Sequence, residues 1–136
     1  MNDGYPSRAG RVRKMRVLVS FEKEYRVYME AIAAAIREFR PDVEVVVADG
    51  RSLEAEVERL DPQLVITGPS APENPVDEQL ARIELSPETN QPSRFRVGER
   101  HWESTNPTLG EILPVIDETK KVLRTSREQE ESTDTG

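Results

Sequence analysis

Polar side chains that could contact a small ligand follow three short apolar segments, residues 16–20, 43–48 and 64–67. If these segments are parallel strands, their carboxyl ends meet at one edge of a sheet, which is where open α/β sheets bind ligands. Hydroxyl, carboxylate and guanidinium groups at that edge could orient a small polar molecule. The candidate rim consists of Ser20, Glu22, Asp49, Arg51, Thr67, Gly68 and Ser70.

The loop after the third segment reads Thr-Gly-Pro-Ser-Ala-Pro, from Thr67 to Pro72. It offers hydroxyl groups, and a glycine at which a backbone can approach closely. It lacks the glycine and lysine spacing of a phosphate-binding loop, and no helix pattern clearly starts after it. The simpler interpretation, which the sequence favours, is that Gly68 and the prolines only shape a turn.

No combination of nucleophile, base or metal ligands emerges from the sequence. The chain has no cysteine and a single histidine, His101, which leaves neither a thiolate nor a histidine pair for zinc. A Ser-His-Asp arrangement would depend on contacts that one sequence does not reveal. We therefore expect no enzyme activity, metal site or cofactor, and we interpret His101 as a surface or packing residue beside Trp102.

The charge balance argues against nucleic acid as a partner. The 136-residue chain has a formal net charge of −7, the wrong sign for a protein that gains affinity by neutralising phosphates. Its apolar runs are far shorter than the roughly 20 residues that span a bilayer. The absence of cysteine suits a reducing cytoplasm. We expect a cytoplasmic protein whose partner is another protein, with no contact to nucleic acid or membrane.

Periodicity predicts a single domain over residues 15–123, between a flexible basic arm (1–14) and a disordered acidic tail (124–136). Residues 22–40 place apolar side chains three and four positions apart, as in a helix with one buried face. A second, shorter helix is predicted over 52–60. Strands joined by helices run parallel, so the three apolar segments form a parallel sheet and the fold class is α/β.

The second half of the chain follows a different pattern. Residues 69–77 include three prolines and leave no room for a full helix. Short strands are predicted over 81–85, 94–97 and 100–104, and we expect them to form an antiparallel meander at one edge of the sheet. A last helix is predicted over 108–123, where it packs on the sheet.

Two local signals support the end of this pattern. Thr108 is followed three residues later by Glu111, which is the spacing of a capping box at a helix start. Pro114 should remove one backbone hydrogen bond and bend the helix. On the meander, we expect Trp102 to fill the edge of the core; the alternative is a patch that binds a partner.

The order of these elements resembles a response-regulator receiver domain of the flavodoxin-like class, and it implies a fold of three layers. The resemblance includes the Pro62 to Pro72 strand and loop and the Asn-Pro pair before the last helix. In receivers, the third strand leads to an aspartate that accepts a phosphoryl group, and a proline follows four residues later. Gly68 and Pro72 hold those two positions.

The other active-site positions of a receiver are also changed. Ser20 and Phe21 replace the acidic pair that holds magnesium, and Glu22 matches the acidic residue that often follows. One carboxylate is a poor site for this ion, which requires several oxygen ligands. Ser86 matches the hydroxyl residue after the fourth strand, and Asn106 stands where a lysine precedes a proline. With Thr67 and Gly68, these residues form the rim of a degenerate site.

The resemblance therefore implies a pseudo-receiver that cannot be phosphorylated in the usual way. Its expected function is a protein-interaction module in signalling or regulation, acting through the sheet edge or the tails. The alternative is a sensor that binds a small ligand at the carboxyl edge of the parallel sheet.

Overall fold

A computed structural model describes residues 15–49, 53–68, 80–86, 88 and 90–135, without the side chains of Asp49 and of residues 125–135. The predicted arm, the proline-rich segment 69–77, Arg51 and Ser70 lie outside the described residues. A turn of 3-10 helix, Lys23–Tyr25, precedes the first helix. The strands and helices are β1 (Arg16–Phe21), α1 (Arg26–Phe39), β2 (Glu44–Asp49), α2 (Leu53–Leu60), β3 (Leu64–Thr67), β4 (Ala81–Glu84), β5 (Pro92–Val97), β6 (Arg100–Thr105) and α3 (Leu109–Thr135).

The six strands form one sheet in the order β2-β1-β3-β4-β5-β6. β1 pairs in parallel with β2 and β3, and β3 pairs in parallel with β4. β5 and β6 continue the sheet in antiparallel fashion. The α/β class, the parallel sheet and the antiparallel edge are therefore confirmed. β4 belongs to both parts of the sheet, because it runs parallel to β3 and antiparallel to β5. The parallel part therefore has four strands, where three were predicted.

Alternate residues of the central strands pack on opposite faces of the sheet. Val17 and Val19 of β1 join a core cluster with α1 and α3, whereas Leu18 joins a second cluster with α2. The strand order accounts for this, because the crossovers β1 to β2 and β2 to β3 move in opposite directions across the sheet. Crossovers of the same hand then place α1 and α2 on opposite faces.

The two outer strands, β2 and β6, differ in what covers their free edges. The Nη2 atom of Arg37 on α1 donates a hydrogen bond to the Val45 carbonyl of β2, at 3.1 Å. β6 pairs with β5 alone in the described sheet. The β2 edge is therefore partly capped by the Arg37 side chain. The β6 edge is formed by a strand whose residues are exposed or half-buried.

Helix α1 starts later than predicted, at Arg26, because residues 23–25 form the 3-10 turn. Three of its buried residues, Met29, Ile32 and Ile36, lie on the predicted apolar stripe. Ala33 is buried as well, whereas Phe39, which was predicted on the stripe, is 51% exposed. Two ion pairs tie its carboxyl end to α3. Arg40 donates from Nε and Nη2 to Asp117, at 2.8 and 2.7 Å, and Lys120 donates to Asp42, at 2.5 Å.

Helix α3 begins with one of the two hydrogen bonds of the predicted capping box. The Glu111 carboxylate accepts a hydrogen bond from the Thr108 N–H at 3.2 Å and another from the Ser104 hydroxyl at 2.6 Å. The helix continues to Thr135, where we expected it to end at residue 123 and a disordered tail to follow. Arginine, glutamate and glutamine in this stretch have high helix propensity, and they extend a helix whose first turns are already fixed by packing.

Candidate functional site

The register of the sheet places Ser20 of β1 directly beside Thr67 of β3. Both residues lie at the carboxyl ends of the two central strands. β1 is also the strand at which the chain order reverses, since β2 lies on one side of it and β3 on the other. Crevices at such switch points are the usual ligand positions of open α/β sheets, and the candidate site is built around this pair.

Phe21 fills the space beside Gly68. A Cβ atom added to Gly68 would lie 3.1 Å from Cδ2 of the Phe21 ring, closer than side chains normally approach. The ring is 1% exposed and packs edge to face against Tyr28, with centroids 5.5 Å apart. Gly68, the position that the resemblance assigns to a phospho-accepting aspartate, thus lies next to a buried aromatic ring.

The hydroxyl groups of Ser20 and Thr67 are buried and have no hydrogen-bond partner. Both residues alternate with Leu18 and Val65, so they face the α2 side of the sheet, away from Phe21. A buried hydroxyl without a partner costs about 1–3 kcal/mol. Two of them side by side indicate a place where a polar group is accommodated.

The remaining rim residues do not all join this pair. Glu22 is exposed and precedes the 3-10 turn. Ser86 is buried, but its hydroxyl accepts from the Glu88 N–H at 3.3 Å and its own N–H donates to the Ser93 hydroxyl at 2.9 Å, so it organises the connection from β4 to β5. Asn106 follows β6 with a positive φ of 55°.

Asn106 is too far away to act with Gly68. β6 runs in the same direction as β4, so Asn106 does lie at the carboxyl edge of the parallel strands. β4 and β5 separate β3 from β6, and three strand spacings of about 4.8 Å give a distance of roughly 14 Å. The described structure therefore pairs Ser20 with Thr67 on the α2 face of the sheet and Phe21 with Gly68 on the other face, and it leaves Asn106 outside.

A shallow cleft lies on the other face, at the start of α1. Its volume is about 240 Å³, and it is lined by Phe21, Lys23, Arg26, Met29, Glu30, Val47 and Ala48. Arg26 is paired with Glu30 at 3.1 Å. The cleft is smaller than the roughly 300–1,000 Å³ typical of ligand pockets.

Sequence reasoning missed Arg82, which interrupts the apolar strand β4. It is 8% exposed, and its Nε and Nη2 atoms have no hydrogen-bond partner. Its Nη2 lies 3.6 Å from Oε1 of Glu84. An arginine in the middle of a short strand between apolar residues was the available signal, because charged residues are almost never buried without a partner.

Acidic and histidine side chains are too scattered to form a metal site in the described part of the chain. None of the helices in that part is long and apolar enough to cross a membrane. The chain matches no protein-family model, no curated protein and no solved structure. The function is therefore inferred from the geometry of the site.

Proposed function

We propose that this protein is a receiver-like interaction module that acts without phosphorylation, in a fold with the flavodoxin-like layering. The observation that carries the proposal is the buried Phe21 ring, 3.1 Å from a Cβ at Gly68. The strand order β2-β1-β3-β4, with helices on both faces of the sheet, supports the receiver-like part.

The chemistry at the strand ends supports a role without phosphoryl transfer. Gly68 offers no acceptor oxygen, and Ser20 and Phe21 offer no carboxylate for magnesium. The hard ion requires several oxygen ligands, and an aromatic ring excludes both the ion and its water. An interaction module of this kind acts through its surface, and the β6 edge of the sheet is the surface best suited to pair with another chain.

An NMR experiment tests the absence of phosphoryl chemistry. Amide spectra are recorded with magnesium and either acetyl phosphate or beryllofluoride. We expect no shift at Ser20, Phe21 or Gly68 in the natural chain. Magnesium-dependent shifts confined to these residues would refute the proposal.

The control is the variant Ser20→Asp/Phe21→Asp/Gly68→Asp, which restores the acidic pair and the acceptor. Its shifts with beryllofluoride would show that the conditions detect the chemistry. If the loss of the Phe21 ring unfolds this variant, the spectra of the natural chain still decide.

The second candidate is a sensor for a small ligand at the carboxyl edge, favoured by the paired, buried hydroxyls of Ser20 and Thr67. A thermal-shift screen of nucleotides and metabolites tests it. We expect at least one compound to raise the melting temperature, and the variant Ser20→Ala/Thr67→Val to lose that effect. A screen without a stabilising compound would exclude this candidate.

A further inference from the structure

The face of the sheet that carries α2 changes from apolar to polar across its strands. The register aligns one row of side chains through the strands from β1 to β6: Ser20, Thr67, Glu84, Arg94 and Glu103. The neighbouring row consists of Leu18, Val65, Arg82, Arg96 and His101. Helix α2 packs on the apolar start of the second row. The residues of this row beyond the contacts of α2, on β4, β5 and β6, are polar.

Unpartnered buried atoms gather on this face. Four buried side-chain nitrogen and oxygen atoms in the described residues lack a hydrogen bond: Ser20 Oγ, Thr67 Oγ1, and Nε and Nη2 of Arg82. They belong to the adjacent strands β1, β3 and β4. Leaving a buried polar group unpaired costs about 1–3 kcal/mol, and more for a charged group, so this clustering indicates a missing common partner.

The two free atoms of Arg82 point to the chemistry of that partner. Nε and Nη2 lie on the same side of the guanidinium and form the fork that receives both oxygens of a carboxylate or phosphate. The 3.6 Å contact to Glu84 is too long for a hydrogen bond. It does place the guanidinium beside the Glu84 carboxylate. Glu84 lies in the same row of side chains as Ser20 and Thr67.

Charged side chains of both signs line this part of the sheet. Arg82 stands directly opposite Arg96 on β5, and like charges in that position destabilise a sheet. Among the described residues, this face carries three arginines, Arg82, Arg94 and Arg96, and two glutamates, Glu84 and Glu103. Arg94 lies 3.8 Å from Glu103.

We propose that Arg82, Ser20 and Thr67 bind the oxyanion group of a small ligand, a carboxylate or a phosphate, on the α2 face of the sheet. Arg82 supplies two parallel N–H donors, and the two hydroxyls donate from the neighbouring strands. The Glu84 carboxylate lies 3.6 Å from Nη2, one of these two donors, so the ligand competes with it for that donor. The inference rests on the ligand-sensor candidate and deepens it, because it names the ligand class and the residue that anchors it.

The test follows the Nε–H signal of Arg82 by NMR while inorganic phosphate or acetate is added at constant ionic strength. We expect a saturable shift of this signal, and the anion that binds more tightly identifies the group. Arg82→Lys keeps the charge but loses the fork, and it should weaken binding about tenfold or more.

The matched control is Arg94→Gln, which removes a charge from the same face at an arginine whose side chain is 61% exposed. It should weaken binding by no more than about twofold, as expected for an exposed charge. If Arg94→Gln weakens binding more than Arg82→Lys, net charge alone attracts the anion and the proposed site is wrong.

Two further results would overturn the site. One is the absence of a saturable shift with either anion, together with a shift of the Arg82 signal in Glu84→Gln, because Arg82 then pairs only with Glu84. The other is a metabolite that stabilises the natural chain and Arg82→Lys equally but not Ser20→Ala/Thr67→Val. That result would remove Arg82 and leave the sensor candidate standing. If Arg82→Lys does not fold, the titration of the natural chain decides.

Discussion

Gly68 and Phe21 form a close contact that a side chain at position 68 would disturb. Gly68→Ala places a Cβ 3.1 Å from a ring carbon that is held by Tyr28. Overpacking a buried site typically costs about 1–3 kcal/mol. We therefore expect Gly68→Ala to lower the free energy of unfolding by about that amount, as measured by urea denaturation.

Gly110→Ala is the control for this substitution. The nearest atom to its added Cβ is Thr108 Oγ1, at 3.5 Å, which is an ordinary contact. Alanine is also the better helix former, by about 0.8–1.0 kcal/mol in a helix interior. An equal effect of the two substitutions would show that the Phe21 ring yields easily and does not close the site.

The residues of the receiver comparison show what a sequence reveals at this scale. The sequence shows that Ser20, Phe21 and Gly68 carry no carboxylate. It does not show that the Phe21 ring packs beside Gly68, because that depends on the direction of a side chain and on Tyr28 behind it. Arg82 was missed for a related reason: its burial depends on contacts across strands that no local pattern specifies.

At the scale of elements, two ion pairs join α1 to α3. The hydrogen bonds from Arg40 hold the pKa of Asp117 below its usual range, and the hydrogen bond from Lys120 lowers the pKa of Asp42. A carboxylate whose pKa is lower in the folded chain than in the unfolded chain stabilises the fold at pH values above its unfolded pKa of about 3.9. That contribution is lost as the pH falls through the folded value.

Asp117→Asn tests this coupling. Because both side chains are partly exposed, the loss at pH 7 should be modest, about 1 kcal/mol or less. The difference between variant and natural chain should start to shrink as the pH falls below about 4, where the unfolded carboxylate is protonated, and it should vanish below the lowered pKa of folded Asp117. Urea midpoints across this pH range measure it. A difference that stays constant with pH would show that the ion pair does not contribute.

The elements were predictable where one signal dominates. The apolar stripe of α1 and the start of α3 at Thr108 are local, and both were predicted correctly in their main part. The direction of β4 relative to β3 was not, because it depends on residues 69–79, where the sequence shows neither helix nor strand. The end of α3 was also missed, since helix propensity beyond residue 123 acts without an apolar stripe to mark it.

At the scale of the whole molecule, the two faces of the sheet are covered differently. α1 and α3 cover one face with the larger apolar cluster, whereas α2 packs only on the strands near β1. The polar rows of β4, β5 and β6 lie beyond it. The candidate oxyanion site lies on the α2 face, at the boundary between the apolar residues under α2 and the charged residues of β4, β5 and β6.

The unequal edges of the sheet limit how copies of this protein could assemble. Arg37 occupies the Val45 carbonyl on the outer side of β2, so a strand added there would have to displace it. β6 has no such obstacle in the described structure. If two copies join through their β6 strands, both free edges are used and only the obstructed β2 edges face outwards. Growth would then stop at a dimer, and a fibril of stacked sheets would be disfavoured.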